Sequence, residues 1–286
     1  MSENLLEMRP LSPGVFEVAL NLKVLYPDPA ARYRFRIRCE EFIRAQGPYS
    51  TIFDLRHDKL TYRTEQLIPT GSDPRPSLLL LFGNPASHSV HAGMFFSFEG
   101  EGRQHRFWKV LASTGLLVLR ENGPGNADLS VPARNQAMRR ALLAAEYDSP
   151  FKLGFAVRFT IPSNASGSPW AGVAGLHRLF GREEMRRIGE WELERVERLV
   201  REFVTSDGAV LTFQKDAYSA LKAVSNPEYS LQDAWAGRLI GTCRRCADTM
   251  LLCSPPTRYS NSKDFSDLLV AFQDHVLGDR QVQSDG

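Results

Sequence analysis

Leu78-Leu79-Leu80-Leu81-Phe82-Gly83-Asn84-Pro85-Ala86-Ser87-His88-Ser89 is the stretch on which the fold of this chain turns. Five apolar residues in a row are too few for a helix, and the Gly-Asn-Pro that follows is a turn, so Leu78 to Phe82 reads as a strand buried on both faces. Strands of that kind belong to parallel sheets covered by helices. In an open α/β sheet the ligand crevice lies at the C-terminal ends of the strands, which makes the Gly83–Ser89 turn the first place to look for a site.

Working outward, Gly154 to Ile161, Val210 to Phe213 and Thr249 to Cys253 are three more short apolar runs. Arg106 to Ser113 reads as a helix. Arg182 to Val204 places Met185, Ile188, Trp191, Val196, Leu199, Val200 and Phe203 on one stripe, the signature of a long amphipathic helix. Strands alternating with helices predict an α/β domain. The first 75 residues follow a different pattern. Val15 to Leu25 partly alternates, and Asp28-Pro29 looks like an N-cap followed by proline at the first helical position, predicting a helix from Ala30 to Gln46. Arg32, Arg34, Arg36 and Arg38 have period two, a competing strand signal, and Thr51 to Ile68 is ambiguous. Gly71 to Pro76 reads as a loop. The predicted organisation is an N-terminal extension over 1–75, a main domain over 76–277 and a disordered tail over 278–286.

At 43% hydrophobic and 24% charged residues the composition is that of a globular protein able to bury a full core. A formal net charge of +2 excludes a strongly basic polymer binder, so any attraction for nucleic acid must come from local clustering of Lys and Arg. No apolar stretch approaches the roughly 18 residues of a membrane span, and the N-terminus lacks the features of a secretory signal. A cytoplasmic protein without membrane contact is expected. Cys243-Arg-Arg-Cys246 has metal-ligand spacing, but it is a single pair. Cys253 falls in a predicted strand and Cys39 is remote, so structural thiols without metal are expected.

The turn is followed by Gly93-Met94-Phe95-Phe96 and by His105-Arg106-Phe107-Trp108. This grouping resembles the first motif region of the uracil-DNA glycosylase superfamily, especially its mismatch-specific and single-strand-selective branches, where a G-x-N-P-G turn precedes G-x-P-F and N-R-F-W elements. After the last predicted strand, Ser254-Pro255-Pro256-Thr257-Arg258-Tyr259 resembles the second motif, H-P-S-P-R-N or N-P-S-G-L. The resemblance covers residues 76 to 277. It implies a three-layer α/β sandwich around a central four-stranded parallel sheet, and hydrolysis of the N-glycosidic bond of uracil or another damaged base in DNA. It also implies water-mediated chemistry without cofactor or metal, and a monomer whose partner is DNA.

Residue by residue, the resemblance assigns water positioning to Asn84, in a base-binding turn with Gly83 and Pro85, and base stacking to Phe96. Insertion into the opened duplex falls to Arg258 and Tyr259. Ser254 stands where the family has a leaving-group His or Asn, so the donor to the departing base is in doubt, and His88 or His91 is the candidate replacement. Asn164 lies several residues late for the family's pyrimidine-reading Asn, and Arg106, with Arg103, His105 and Lys109, is a candidate phosphate contact. Asn84, Phe96 and Ser254 are expected to line one pocket.

Each assignment has a plainer competitor. Asn84 can be a turn former, Phe96 a core residue, and His88 and His91 loop histidines bonded to backbone. The basic residues can be a solvated helix face. Two other functions stay open: a glycosylase-fold DNA-binding protein with weakened or lost catalysis, and an enzyme acting on free nucleosides.

Overall fold

The structure is a computed structural model that describes residues 4–97, 105–119, 130–165, 167–246 and 249–284. Arg103 lies outside them. The chain divides into two compact units. The first is built from residues up to 66 with 83–97 and 157–195, the second from 67–82, 98–156 and 196–286. The N-terminal residues up to 66 group with the turn after Phe82 and with 157–195.

In the first unit, β1 (Leu6–Ser12), β2 (Val15–Asn21), β3 (Phe53–Arg56) and β4 (Lys59–Glu65) form an antiparallel sheet in the order β1-β2-β4-β3. The alternation noticed from Val15 onward puts Val18 and Leu20 in the core. β1 escaped sequence reading because the alternation of Leu6-Glu7-Met8-Arg9 lasts only four residues before Pro10, a proline that is tolerated in an edge strand. The helix Pro29–Ala45 follows, its Asp28 carboxylate accepting from the amides of Ala30 and Ala31 as the cap signal required. The period-two arginines lose to the i, i+4, i+7 spacing of Phe35, Cys39 and Phe42, all fully buried. Phe35 stacks on Tyr26 and Phe180, and Phe42 meets Phe53 and Trp170 edge-on. Burying aromatic and aliphatic side chains of this size stabilises a fold by about 1.5 to 3 kcal/mol each, before entropy is counted.

The second unit holds a five-stranded sheet of β5 (Ser77–Phe82), β6 (Lys152–Val157), β7 (Ala209–Thr212), β8 (Ile240–Thr242) and β9 (Met250–Cys253), ordered β6-β5-β7-β9-β8. β5 is parallel to β7, and β7 to β9. β8 is antiparallel to β9, so the sheet is mixed and five-stranded rather than the four-stranded parallel sheet expected. β8 gave no signal because it has three half-buried or exposed residues and no apolar run. Every residue of β5 is buried.

Phe82 stacks on Phe213 with ring centroids 5.0 Å apart, and Phe107 meets both rings edge-on. The helix Arg106–Ser113, predicted to the residue, thus buries Phe107 and Trp108 and leaves Arg106 and Lys109 exposed. The final helix runs Lys263–Ser284, so Gly278, where a disordered tail was expected to begin, lies inside it. Its i, i+3, i+4 stripe of Phe265, Leu268, Leu269 and Phe272 is buried. None of the described helices is long and apolar enough to cross a membrane.

Candidate functional site

In the first unit the chain beyond Phe82 does not turn freely. Residues 83–87 run beside 159–163 and are tied to them by backbone bonds from Phe159 N to Gly83 O (2.8 Å), Ser163 N to Pro85 O (3.1 Å) and Ser87 N to Ser163 O (2.9 Å). The pairing is parallel, Ala86 bridging Ser163. The carbonyls of Gly83 and Pro85, two of the base-binding candidates, are therefore held by the protein itself.

Asn84 is half-buried in this ladder. Its Nδ2 donates to Ser163 Oγ at 2.9 Å and to Ile161 O at 3.2 Å, with a longer contact to Pro85 O. A backbone carbonyl can only accept, so these partners fix which side of the amide is nitrogen. Ser163 Oγ directs its own proton to Asn164 O, which leaves its lone pairs for Asn84. With both Nδ2 protons engaged, Oδ1 remains as the acceptor of this side chain, and an amide oxygen in a fixed orientation is suited to hold a water molecule. A turn-forming Asn would bond its own backbone two residues on; this one reaches residues 161 and 163.

The short helix Ser87–Ala92 carries His88, half-buried, and His91, exposed. Tyr49 lies beside both, with ring centroids 6.1 Å from His88 and 5.6 Å from His91. Gln46 anchors the same helix, accepting from Ser87 Oγ at 2.8 Å while its Nε2 donates to Phe42 O. Neither Tyr49 nor Gln46 had a sequence signal, because each acts through a partner some forty positions away. After Gly93, whose φ of 69° suits glycine, Phe96 holds a φ of 45° and is half-buried. A left-handed backbone on a bulky residue costs of the order of 1 to 3 kcal/mol and is concentrated at functional positions.

Asn164 serves a structural purpose as found. Its Nδ2 donates to Ala45 O, the last carbonyl of the helix Pro29–Ala45, and caps that helix end.

In the second unit, Ser254 follows β9, fully buried, its amide bonded to Thr212 O and its hydroxyl donating to Pro255 O at 3.1 Å. The one proton of this hydroxyl is thus directed at its own backbone. Arg258 is exposed, and its guanidinium lies over the Tyr259 ring at 4.8 Å while Nη2 donates to Tyr259 Oη at 3.2 Å. Tyr259 in turn packs on Trp235 at 5.6 Å. Arg106 Nη2 donates to Arg258 O at 2.8 Å across 152 residues of sequence, so three residues assigned to DNA contact from two separate motifs meet at one surface. Trp235 was missed, since nothing distinguishes it from a core aromatic in sequence. His105 caps the helix Arg106–Ser113, its Nδ1 accepting from Phe107 N.

Cys243 and Cys246 are buried in the β8–β9 loop. Burial, and then the neighbouring Cys246, pushes the Cys243 thiol up to about 12. Among the described residues no group of three His, Cys, Asp or Glu side chains is placed to hold a metal ion. No protein-family model matches the chain, and no curated protein matches it.

Proposed function

We propose that this protein is a DNA N-glycosylase of the uracil-DNA glycosylase type, which hydrolyses the bond between deoxyribose and uracil or another deaminated or damaged base. The observation that carries the reading is Asn84, whose Nδ2 is anchored by Ile161 O and Ser163 Oγ so that Oδ1 is left to orient water. Breaking an N-glycosidic bond builds positive charge on the sugar and negative charge on the departing base. A neutral amide cannot take the proton of the attacking water as a carboxylate would, so it aligns the water while departure of the base drives the step. No metal or other cofactor enters this scheme.

Phe96 is the stacking face for the extruded base, and its strained backbone supports a role beyond packing. Arg106, Arg258 and Tyr259 engage the DNA strand, and their convergence at one surface supports that assignment. His88 or His91 supplies the donor to the base that Ser254 does not. In this reading the parallel strands β5, β7 and β9, with β6 beside β5, are the core of a three-layer sandwich, β8 is an added edge strand, and residues 76–277 are the glycosylase-like part. The protein acts as a cytoplasmic monomer on DNA.

A second reading, a DNA-binding protein of this fold with weakened or absent catalysis, draws support from two side chains bonded to the protein's own backbone. Ser254 directs its only hydroxyl proton to Pro255 O, and Asn164 commits one of its two Nδ2 protons to Ala45 O, which ties that side chain to a helix end. A panel of oligonucleotides carrying uracil, hypoxanthine, xanthine or mismatched thymine, followed by alkaline cleavage at abasic sites, separates the two. Strand cleavage at one modified base supports the enzyme. Tight binding to abasic DNA with no base released supports the second reading, and release from nucleosides but not from DNA overturns both.

A further inference from the structure

Glu192 is fully buried on the helix Arg182–Phe203, in a largely apolar stripe whose other buried carboxylate is Glu197. Its Oε1 accepts from both the amide (2.6 Å) and the hydroxyl (2.5 Å) of Thr160, and its Oε2 pairs with Arg195 Nε at 2.7 Å. Arg195 continues the clamp, donating through Nη2 to Val157 O and through Nη1 to Gln66 Oε1. Both ends of residues 157–160 are therefore gripped by one ion pair.

The hydroxyl chain has a direction. Thr160 gives its only proton to Glu192, so the hydrogen bond between Tyr62 Oη and Thr160 Oγ1 (2.9 Å) must be donated by Tyr62. Tyr62 can always do so, because burial, and then the charge of Glu192, holds its phenol well above the ordinary tyrosine range.

An ion pair removed from water is a poor way to stabilise a core. Desolvation offsets most of the attraction, and a well-packed apolar pair of the same volume often serves stability equally well or better. What a fully satisfied buried network supplies instead is a unique geometry. Here the segment it locks continues at once into Ile161 and Ser163, whose carbonyl and hydroxyl hold the Asn84 amide, and into the backbone ladder that carries the Gly83–Ser87 turn.

We infer that Glu192, acting with Arg195 through Thr160, is a positioning residue that sets the orientation of Asn84. The inference rests on the glycosylase reading for its consequence, and on geometry alone for the positioning itself. Glu192 touches neither base nor water; it acts through the segment 160–163.

The test uses the full chain with Glu192→Gln and, as the variant least able to disturb folding, Thr160→Val, with Thr160→Ser as the conservative rescue. Hydrogen exchange is read at the amides of Phe159, Ser163 and Ser87, with Val18 and Leu20 of β2 as the internal reference. The expected result is exchange about 10-fold faster or more at the first three, the reference amides unchanged, and wild-type protection in Thr160→Ser. Unchanged exchange at residues 159, 163 and 87, or equal acceleration in β2, overturns the inference.

A second arm measures excision from whichever oligonucleotide the wild type cleaves. Glu192→Gln should lower kcat about 10- to 100-fold with KM changed less than about 2-fold, and should add no further loss in an Asn84→Ala background. Losses that multiply in the double variant overturn the inference. A wild-type protein that cleaves none of the substrates ends the glycosylase reading, and the exchange arm then still decides whether Glu192 positions the Asn84 turn.

Discussion

The segment after β5 and the segment after β9 both leave the C-terminal ends of strands that flank β7, yet the two are built on opposite principles. Residues 83–87 are laced to 159–163 by three backbone hydrogen bonds, and the one polar side chain with chemical promise, Asn84, is half-buried and held by its nitrogen. Residues 257–259 form a single turn whose cation stands in solvent, steadied by a stack on Tyr259 and by Arg106 on the Arg258 carbonyl. A rigid, dry support suits a group that must keep one orientation through a reaction, because the reorganisation is already complete before substrate arrives. An exposed arginine on an aromatic face suits contact with a polymer of phosphates and bases, where charge and stacking matter more than angle. Taken each by itself, the first segment is held by hydrogen bonds on its backbone and side chain, and the second leaves its cation in solvent.

That contrast is open to direct attack. Its sharpest form concerns Asn84→Ala, which should lower the single-turnover rate by about two to three orders of magnitude while DNA affinity stays within about 2-fold. A folded variant cleaving at the wild-type rate would reduce Asn84 to a turn former. The next effect is one of selectivity. Arg258→Ala should slow excision from matched duplex about 10-fold more than from single strands, since only the duplex requires unpairing. Equal losses on both substrates, measured side by side with Tyr259→Ala, would make Arg258 a phosphate contact and leave insertion to Tyr259.

Arg106→Ala should act more mildly. It should reduce the slope of log K against log salt by about one without changing the rate at saturating DNA, and an unchanged slope would place Arg106 off the DNA path. The smallest effect belongs to Ser254→Ala: with its proton directed at Pro255 O, removal of the hydroxyl should leave the rate within about 3-fold of wild type. A drop of more than about 10-fold would show that this hydroxyl rotates toward substrate, and would return Ser254 to the role the family motif suggests. His88→Ala and His91→Ala, run in the same assay, decide which of the two acts in its place.

Much of the scaffold was legible before any coordinates. The Leu78–Phe82 run, the Arg106–Ser113 helix, the Asp28-Pro29 cap and the long helix from Arg182 rest on local rules: unbroken apolar runs, the 3.6-residue period, side-chain caps. Such rules act between neighbours in sequence, and sequence contains them. β8 and β1 escaped because each depends on a partner strand rather than on its own pattern. Trp191 was placed on the core stripe of its helix, whereas the fully buried position is Glu192, one residue on. A carboxylate enters a core only when partners compensate it: Arg195 lies three residues on in the same helix, but Thr160 is 32 positions away and periodicity cannot reveal it.

What the sequence by itself determined is the set of long or strongly apolar elements, the burial of the strand that ends at Phe82, and the residue types available at the turns that follow β5 and β9. Only the tertiary structure decided what those residues do with their hydrogen bonds: Asn84 nitrogen to Ile161 and Ser163, Asn164 to Ala45, Ser254 to Pro255, Arg106 to Arg258. The reason is physical. Apolar burial is non-directional and leaves a periodic record along the chain, whereas a hydrogen bond is defined by an angle and by a partner whose position is set only when distant segments have packed.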